Sequence, residues 1–288
     1  MSIDITIKQK GFFKKTLPLS VILGNDLKYG AFVNDALIKD TIGENEIVIY
    51  HPEHIGRGFS IIWNENEKKQ VHLRLPQPST PKELADFYQT VKRICLHWQA
   101  ALTVDGRRMT LPAFLKGHAD AVAFNEKIIR RFAEDIINGT HETLTLYSTM
   151  WPLHLGKEEA ARFLDDPKGY YDWLHEKQTV NARYTSAYFY QGENGIFARL
   201  PFFKNTVHLF PKKPSVPFGL TDPNTGKPLT CSDYKILLLH NEESEPEGEI
   251  VFDEFINRIP KHKIREYDPE LLLIDAFDDE EWQELQKS

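Results

Sequence analysis

The chain has 288 residues, 41% of them hydrophobic and 27% charged, with a formal net charge of −7. That length allows one large domain or two of medium size, and the apolar content is enough for a substantial core. No apolar run reaches the roughly 18 residues that span a bilayer, and two cysteines, Cys95 and Cys231, exclude a disulfide scaffold.

The beginning "MSIDITIKQKGFF" alternates and carries charge, so no secretory leader is expected, and a reducing, cytoplasmic setting follows from the cysteine usage. Charge is unevenly spread. Residues 241–286 hold sixteen Asp/Glu against four Lys/Arg, which leaves the first 240 residues slightly basic. Such a segment repels nucleic acid and suits either a basic protein partner or solubility alone.

In chain order, "SIDITIK" alternates as a first strand. "DLKYGAFVNDALIKDTIG" places Leu27, Phe32 or Val33, and Ala36-Leu37 at helical spacing, with Gly30 weakening that helix. "NEIVIYH" is a short strand, and "RGFSIIWN" with "KQVHLRLP" forms an expected antiparallel hairpin. The clearest element is the helix over 81–99. Thr80 is its N-cap, Pro81 its first residue and Glu83 completes a capping box, followed by a stripe from Leu84 to Trp98. Cys95 lies on that stripe as a small buried hydrophobe. Asp105-Gly106 centres a tight hairpin. A second long helix is expected over 113–137, with Phe124, Ile128, Phe132 and Ile136 in line and Gly139 in the left-handed position after its end. "ETLTLYSTMW" is strand-like, and two short helices separated by Asp166-Pro167 follow. From "VNARYTSAYFY" strands return, with turns at Asn194-Gly195 and Lys204-Asn205. The Pro- and Gly-rich stretch from Pro211 to Thr230 is long for a loop in a compact domain. The chain closes with the buried strand "DYKILLLH", an acidic loop, the helix "FDEFINRIP", "PELLLIDAF" as a strand or short helix, and the acidic amphipathic helix "DDEEWQELQ".

Hairpins outnumber βαβ units, which predicts an α+β fold with mainly antiparallel sheet against the two long helices. The expected division is a first half over 1–150 and a second over 151–288, unless the two form one continuous domain.

Candidate chemistry centres on "YHPEHIGRGFSIIW", residues 50–63. His51 and His54 have zinc-like spacing, but Pro52 lies between them and nothing nearby completes a ligand set, so no metal is expected. Gly56-Arg57-Gly58 could approach an anion, with Arg57 as the planar fork. A phosphate loop opens into a helix, however, and this one opens into a strand, which leaves an ordinary turn as the plainer account. Alternation puts His72 and Arg74 on the polar face of their strand, and Arg199 and His208 sit similarly in theirs. Arg57, His72, Arg74, Arg199 and His208 therefore form a candidate basic face for a phosphorylated or carboxylated ligand, against the alternative of a plain solvent face. Cys231 beside Ser232 and Asp233 lacks any nucleophile signature, so catalytic residues are unknown. Tyr184, Tyr188 and Tyr190 share one parity without a surrounding basic groove, so single-stranded nucleic acid is not expected. No cofactor motif is present.

The run "RGFSIIWNENEKKQVHLRLPQPSTPKELADFY", the later "FARLPFFKNTVHLFP" and the ending "LLLIDAFDDEEW" resemble an uncharacterised family from low-GC Gram-positive bacteria that carries only a domain-of-unknown-function label. The resemblance implies a bacterial cytoplasmic protein and carries no activity or site residue with it. Two expectations follow. One is a binding or interaction protein, immunity-type by analogy of size and charge, meeting a basic partner through residues 241–286. The other is an enzyme or small-ligand binder using the basic His/Arg face. No nucleic-acid or membrane partner is expected.

Overall fold

The computed structural model describes every residue except 45, 65, 67, 193–194, 217–220, 222–225, 232 and 288. The chain divides into two compact units, Met1–Val180 and Asn181–Ser288. Residues 151–180, which the sequence reading groups with the second half, pack in the first unit.

The first unit runs β1 (Ser2–Lys8), α1 (Leu19–Leu23), β2 (Lys28–Val33), β3 (Ala36–Lys39), β4 (Glu46–Tyr50), β5 (Phe59–Ile62), β6 (Gln70–Pro76), α2 (Pro81–Trp98), β7 (Ala101–Val104) and β8 (Arg107–Met109). It continues with α3 (Leu111–Lys116), α4 (His118–Ile137), β9 (Leu144–Leu146), β10 (Leu153–Leu155), α5 (Lys157–Asp165) and α6 (Gly169–Gln178). Strands β1 to β8 form one sheet in the order β3-β2-β4-β5-β6-β1-β7-β8. Every neighbouring pair in it is antiparallel. Register follows the apolar alternation: Ile5 and Ile61 both lie opposite Leu73, and all three are buried. The α2 stripe shares this core, with Phe87 edge-on to Phe59 at 5.3 Å. Each such buried side chain contributes about 1.5–3 kcal/mol.

Two expected helices differ from what forms. Residues 28–39 make the β2–β3 hairpin rather than a helix. Asn34 and Asp35 both take positive φ (48° and 65°), the backbone of a two-residue turn whose twist matches paired strands. The helix expected over 113–137 is two helices, α3 and α4, because Gly117 ends one and caps the next. Phe124, placed in the core by spacing, is exposed, and the buried line of α4 runs through Ile128, Ile129, Ala133 and Ile136.

The second unit runs β11 (Arg183–Tyr184), β12 (Tyr188–Gly192), β13 (Gly195–Phe203), β14 (His208–Pro211), β15 (Asp233–Leu239), β16 (Gly248–Val251), α7 (Phe252–Arg258), β17 (Ile264–Glu266), β18 (Leu271–Ile274) and α8 (Asp279–Gln286). Its strands make two four-stranded sheets, ordered β12-β13-β15-β16 and β11-β14-β18-β17. Pairs β13/β15 and β11/β14 are parallel and the rest antiparallel. Much of the Pro/Gly-rich stretch, and Asn194 of the expected Asn194-Gly195 turn, lie outside the described residues. The acidic segment supplies Ile250, Phe252, Phe255, Ile274, Trp282 and Leu285 to this unit's core. The fold is thus a mixed α+β one with substantial antiparallel sheet and several helices. No described helix is long and apolar enough to cross a membrane.

Candidate functional site

The bend after β4 is a folded structure in its own right. The His51 and His54 rings stack with centroids 3.8 Å apart, and His54 Nε2 lies 2.7 Å from Asp86 Oδ2 on α2. Burial holds the His54 ring below its usual range, against the pull of Asp86. No group of three His, Cys, Asp or Glu able to hold a metal occurs among the described residues.

Gly56-Arg57-Gly58 closes around a carboxyl group of the same chain, that of Glu83. Its Oε1 accepts the Gly58 N–H at 2.7 Å, and its Oε2 accepts the Thr80 N–H at 2.9 Å. Burial pushes the Glu83 carboxyl up, opposed by those N–H groups and by Arg57. Arg57 is half-buried and donates from Nε to the Tyr147 carbonyl at 3.0 Å and from Nη1 to the Gln77 carbonyl at 2.9 Å. The loop that could have received a phosphate is occupied by the helix-capping carboxylate of the same chain.

Of the other four predicted residues, His72 and Arg74 share one face of β6, and Arg199 and His208 belong to the second unit. His72 Nδ1 lies 3.0 Å from Thr6 Oγ1, and exposed Arg74 faces Asp4 at 3.7 Å, both on the polar side of β6. His208 is fully buried in the second unit. Its Nε2 lies 3.0 Å from the Phe203 N–H and 3.3 Å from the Phe203 carbonyl oxygen, and its Nδ1 lies 2.7 Å from Thr185 Oγ1. Burial pushes its pKa down to about 3, so the ring is neutral and offers no charge to a ligand. Of the five, Arg57 and His208 are hydrogen-bonded within their units, and Arg199 lines a hollow. Near Cys231, Ser232 lies outside the described residues, and His240 faces Glu247 at 3.8 Å.

That hollow, about 280 Å³, opens on the outer face of the β12-β13-β15-β16 sheet and is lined in part by Arg183, Tyr188, Tyr190, Arg199, Leu237 and Glu242. Strand pairing builds it. Tyr188 lies opposite Arg199 and Tyr190 opposite Phe197, while Leu200 and Phe202 point to the core on alternate positions. Arg199 is held by Glu249 at 3.2 Å and Asp233 at 3.4 Å, with its guanidinium 4.7 Å from the Phe197 ring centroid. Arg183 reaches Glu242 at 2.5 Å and lies 4.1 Å over the Phe203 ring. Both guanidiniums are stacked and already matched by carboxylates, so the hollow presents ordered planar surfaces rather than a bare positive charge.

The model of one protein family, described as a domain of unknown function (DUF4299), matches residues 2–285. The chain belongs to that family. No curated protein and no solved structure matches it significantly. Within this DUF4299 chain, sequence reasoning singled out Arg199 and the tyrosines separately and missed Arg183. The signal for joining them was the shared parity of Tyr188 and Tyr190 with their cross-strand partners, which requires the register of β12 against β13.

Proposed function

We propose that this protein is a binding protein of the immunity type, contacting a basic protein partner through the outer face of the β12-β13-β15-β16 sheet. The observation that carries the reading is the Tyr188/Tyr190/Arg199 hollow beside an exposed acidic loop that includes Glu242, Glu243 and Glu245. Exposed tyrosines and arginines with fixed side chains give contact area at small entropic cost and dominate binding energy in protein interfaces. The carboxylates at the rim favour a cationic surface opposite and speed its approach. The rival reading, an enzyme or binder of a phosphorylated or carboxylated compound, loses support from the burial of His208 and from the backbone carbonyls that already take the Arg57 N–H groups. The setting of this reading is the cytoplasm of a low-GC Gram-positive bacterium, as the family resemblance implies, and two free cysteines fit reducing surroundings.

The test is affinity capture from lysate with the full chain and with two variants, Tyr188→Ser/Tyr190→Ser and Glu243→Lys/Glu245→Lys. A captured basic protein whose recovery falls about tenfold or more in both variants is expected. Identical captured sets for all three baits would overturn the reading.

A further inference from the structure

The connection after β1 carries an unexplained surface feature. Phe12 and Phe13 are 101% and 96% exposed, side by side at the tip of "KQKGFFKK". Large apolar side chains in a folded protein are seldom left wholly in water, and two adjacent ones form a concentrated apolar point. The loop beneath them is fastened. Buried Gln9 donates from Nε2 to the Lys15 carbonyl at 2.8 Å and to the Lys68 carbonyl at 2.7 Å, and its Oε1 accepts the Lys15 N–H at 2.8 Å. Trp98 Nε1 also donates to the Lys15 carbonyl, at 2.9 Å. The base is therefore pinned to the core while the tip projects. Gly11, at φ +83°, has no atom within 4 Å of where a Cβ would stand.

Charge surrounds the tip. Lys8, Lys10, Lys14 and Lys15 flank it in sequence with no acidic residue among them, and exposed Lys68 and Lys69 lie against the loop base through their carbonyl contacts with Gln9. Glu65 and Glu67 of that facing connection lie outside the described residues.

We propose that this loop docks peripherally on an anionic lipid surface, with Phe12 and Phe13 entering the interface and the lysines meeting the headgroups. Aromatic rings favour the headgroup level, and lysine stems extend along apolar surface while the ammonium stays in water. A fluid interface accepts both adjacent rings without a shaped pocket, whereas a protein groove must supply one for each. Contact of this kind needs no spanning helix. The inference stands apart from the partner surface proposed for the second unit.

The experiment is sedimentation of the full-length protein with vesicles of phosphatidylcholine containing about 30% phosphatidylglycerol, and with phosphatidylcholine alone. The wild type pellets with the anionic vesicles and less so as salt rises. Phe12→Ser/Phe13→Ser lowers the partition coefficient by about tenfold per ring at unchanged melting temperature, since the tip packs against nothing. Lys8→Gln/Lys10→Gln lowers it by roughly fivefold per charge. Equal pelleting of wild type and the Phe variant, equal binding to neutral vesicles, or no vesicle binding at all would overturn the proposal. A protein captured from lysate only when Phe12 and Phe13 are intact, without vesicle binding, would also overturn it and assign the tip to a protein groove.

Discussion

A Cβ placed on Gly56 would stand 2.3 Å from the carboxyl carbon of Glu83, closer than any packed pair of atoms tolerates. The carboxylate cannot swing aside, because it is fixed by the Thr80 and Gly58 N–H groups at the start of α2. One side chain thus caps a helix and fills a turn 25 residues earlier in the chain.

Gly56→Ala should therefore cost about 2–3 kcal/mol, from overpacking against a fixed group. Gly106→Ala is the comparison. Gly106 has φ +78° and nothing within 4 Å of its Cβ position, so only backbone strain of about 1 kcal/mol applies. Equilibrium urea unfolding separates the two. Equal losses would mean that Glu83 yields easily and that the cradle is loose.

His208 ties stability to pH. Its ordinary pKa of 6.5 falls to about 3 in the folded chain, where burial excludes the charged form. A base depressed on folding contributes stability that is fully present above its unfolded pKa and is lost as pH falls from about 6.5 toward 3. The full effect is on the order of 5 kcal/mol at 1.36 kcal/mol per pH unit. His208→Gln keeps an acceptor for the Phe203 N–H and does not titrate, so its unfolding free energy should change less between pH 6.5 and 4 than that of the wild type. Denaturant titrations across that range measure the difference, and parallel curves would assign the acid sensitivity elsewhere.

Local signals were legible where neighbours in sequence are neighbours in space. Thr80 and Glu83 announce the start of α2, and Asp105-Gly106 announces its hairpin, because each is complete within four residues. The β2–β3 hairpin was not legible, since Phe32, Ala36 and Leu37 satisfy helical spacing as readily as strand pairing, and Asn34-Asp35 decides the matter only through its dihedral angles. His208 shows a different limit. Alternation puts it on a polar face, but β14 is buried at His208, Leu209 and Phe210 in succession, and period-two reasoning assumes one solvated side. For Gly56-Arg57-Gly58 the sequence leaves an ordinary turn as the plainer reading, and only the approach of α2 brings the Glu83 carboxyl group into that turn. The hollow around Arg199 likewise waits on strand register.

The acidic C-terminal segment gives the last prediction. Its charge invites truncation as a test of partner binding, but the segment is also framework. Trp282 stacks at 6.2 Å on Phe202 and donates from Nε1 to Glu247 Oε2 at 2.6 Å, which fastens α8 to the loop before β16. Trp282→Ala should cost about 3–5 kcal/mol, as expected for a large aromatic removed from a core. Glu280→Gln, on the exposed first turn of the same helix, removes a charge with an effect within about 0.5 kcal/mol. Paired thermal or urea unfolding of the two variants checks this. If partner capture is lost in Trp282→Ala and kept in Glu280→Gln, the folded second unit is what the partner requires. If Glu280→Gln alone weakens capture at unchanged stability, the carboxylates themselves are the contact. Removing residues 241–288 would confound the two outcomes, because it takes away β16, α7, β17, β18 and α8 together with the charge.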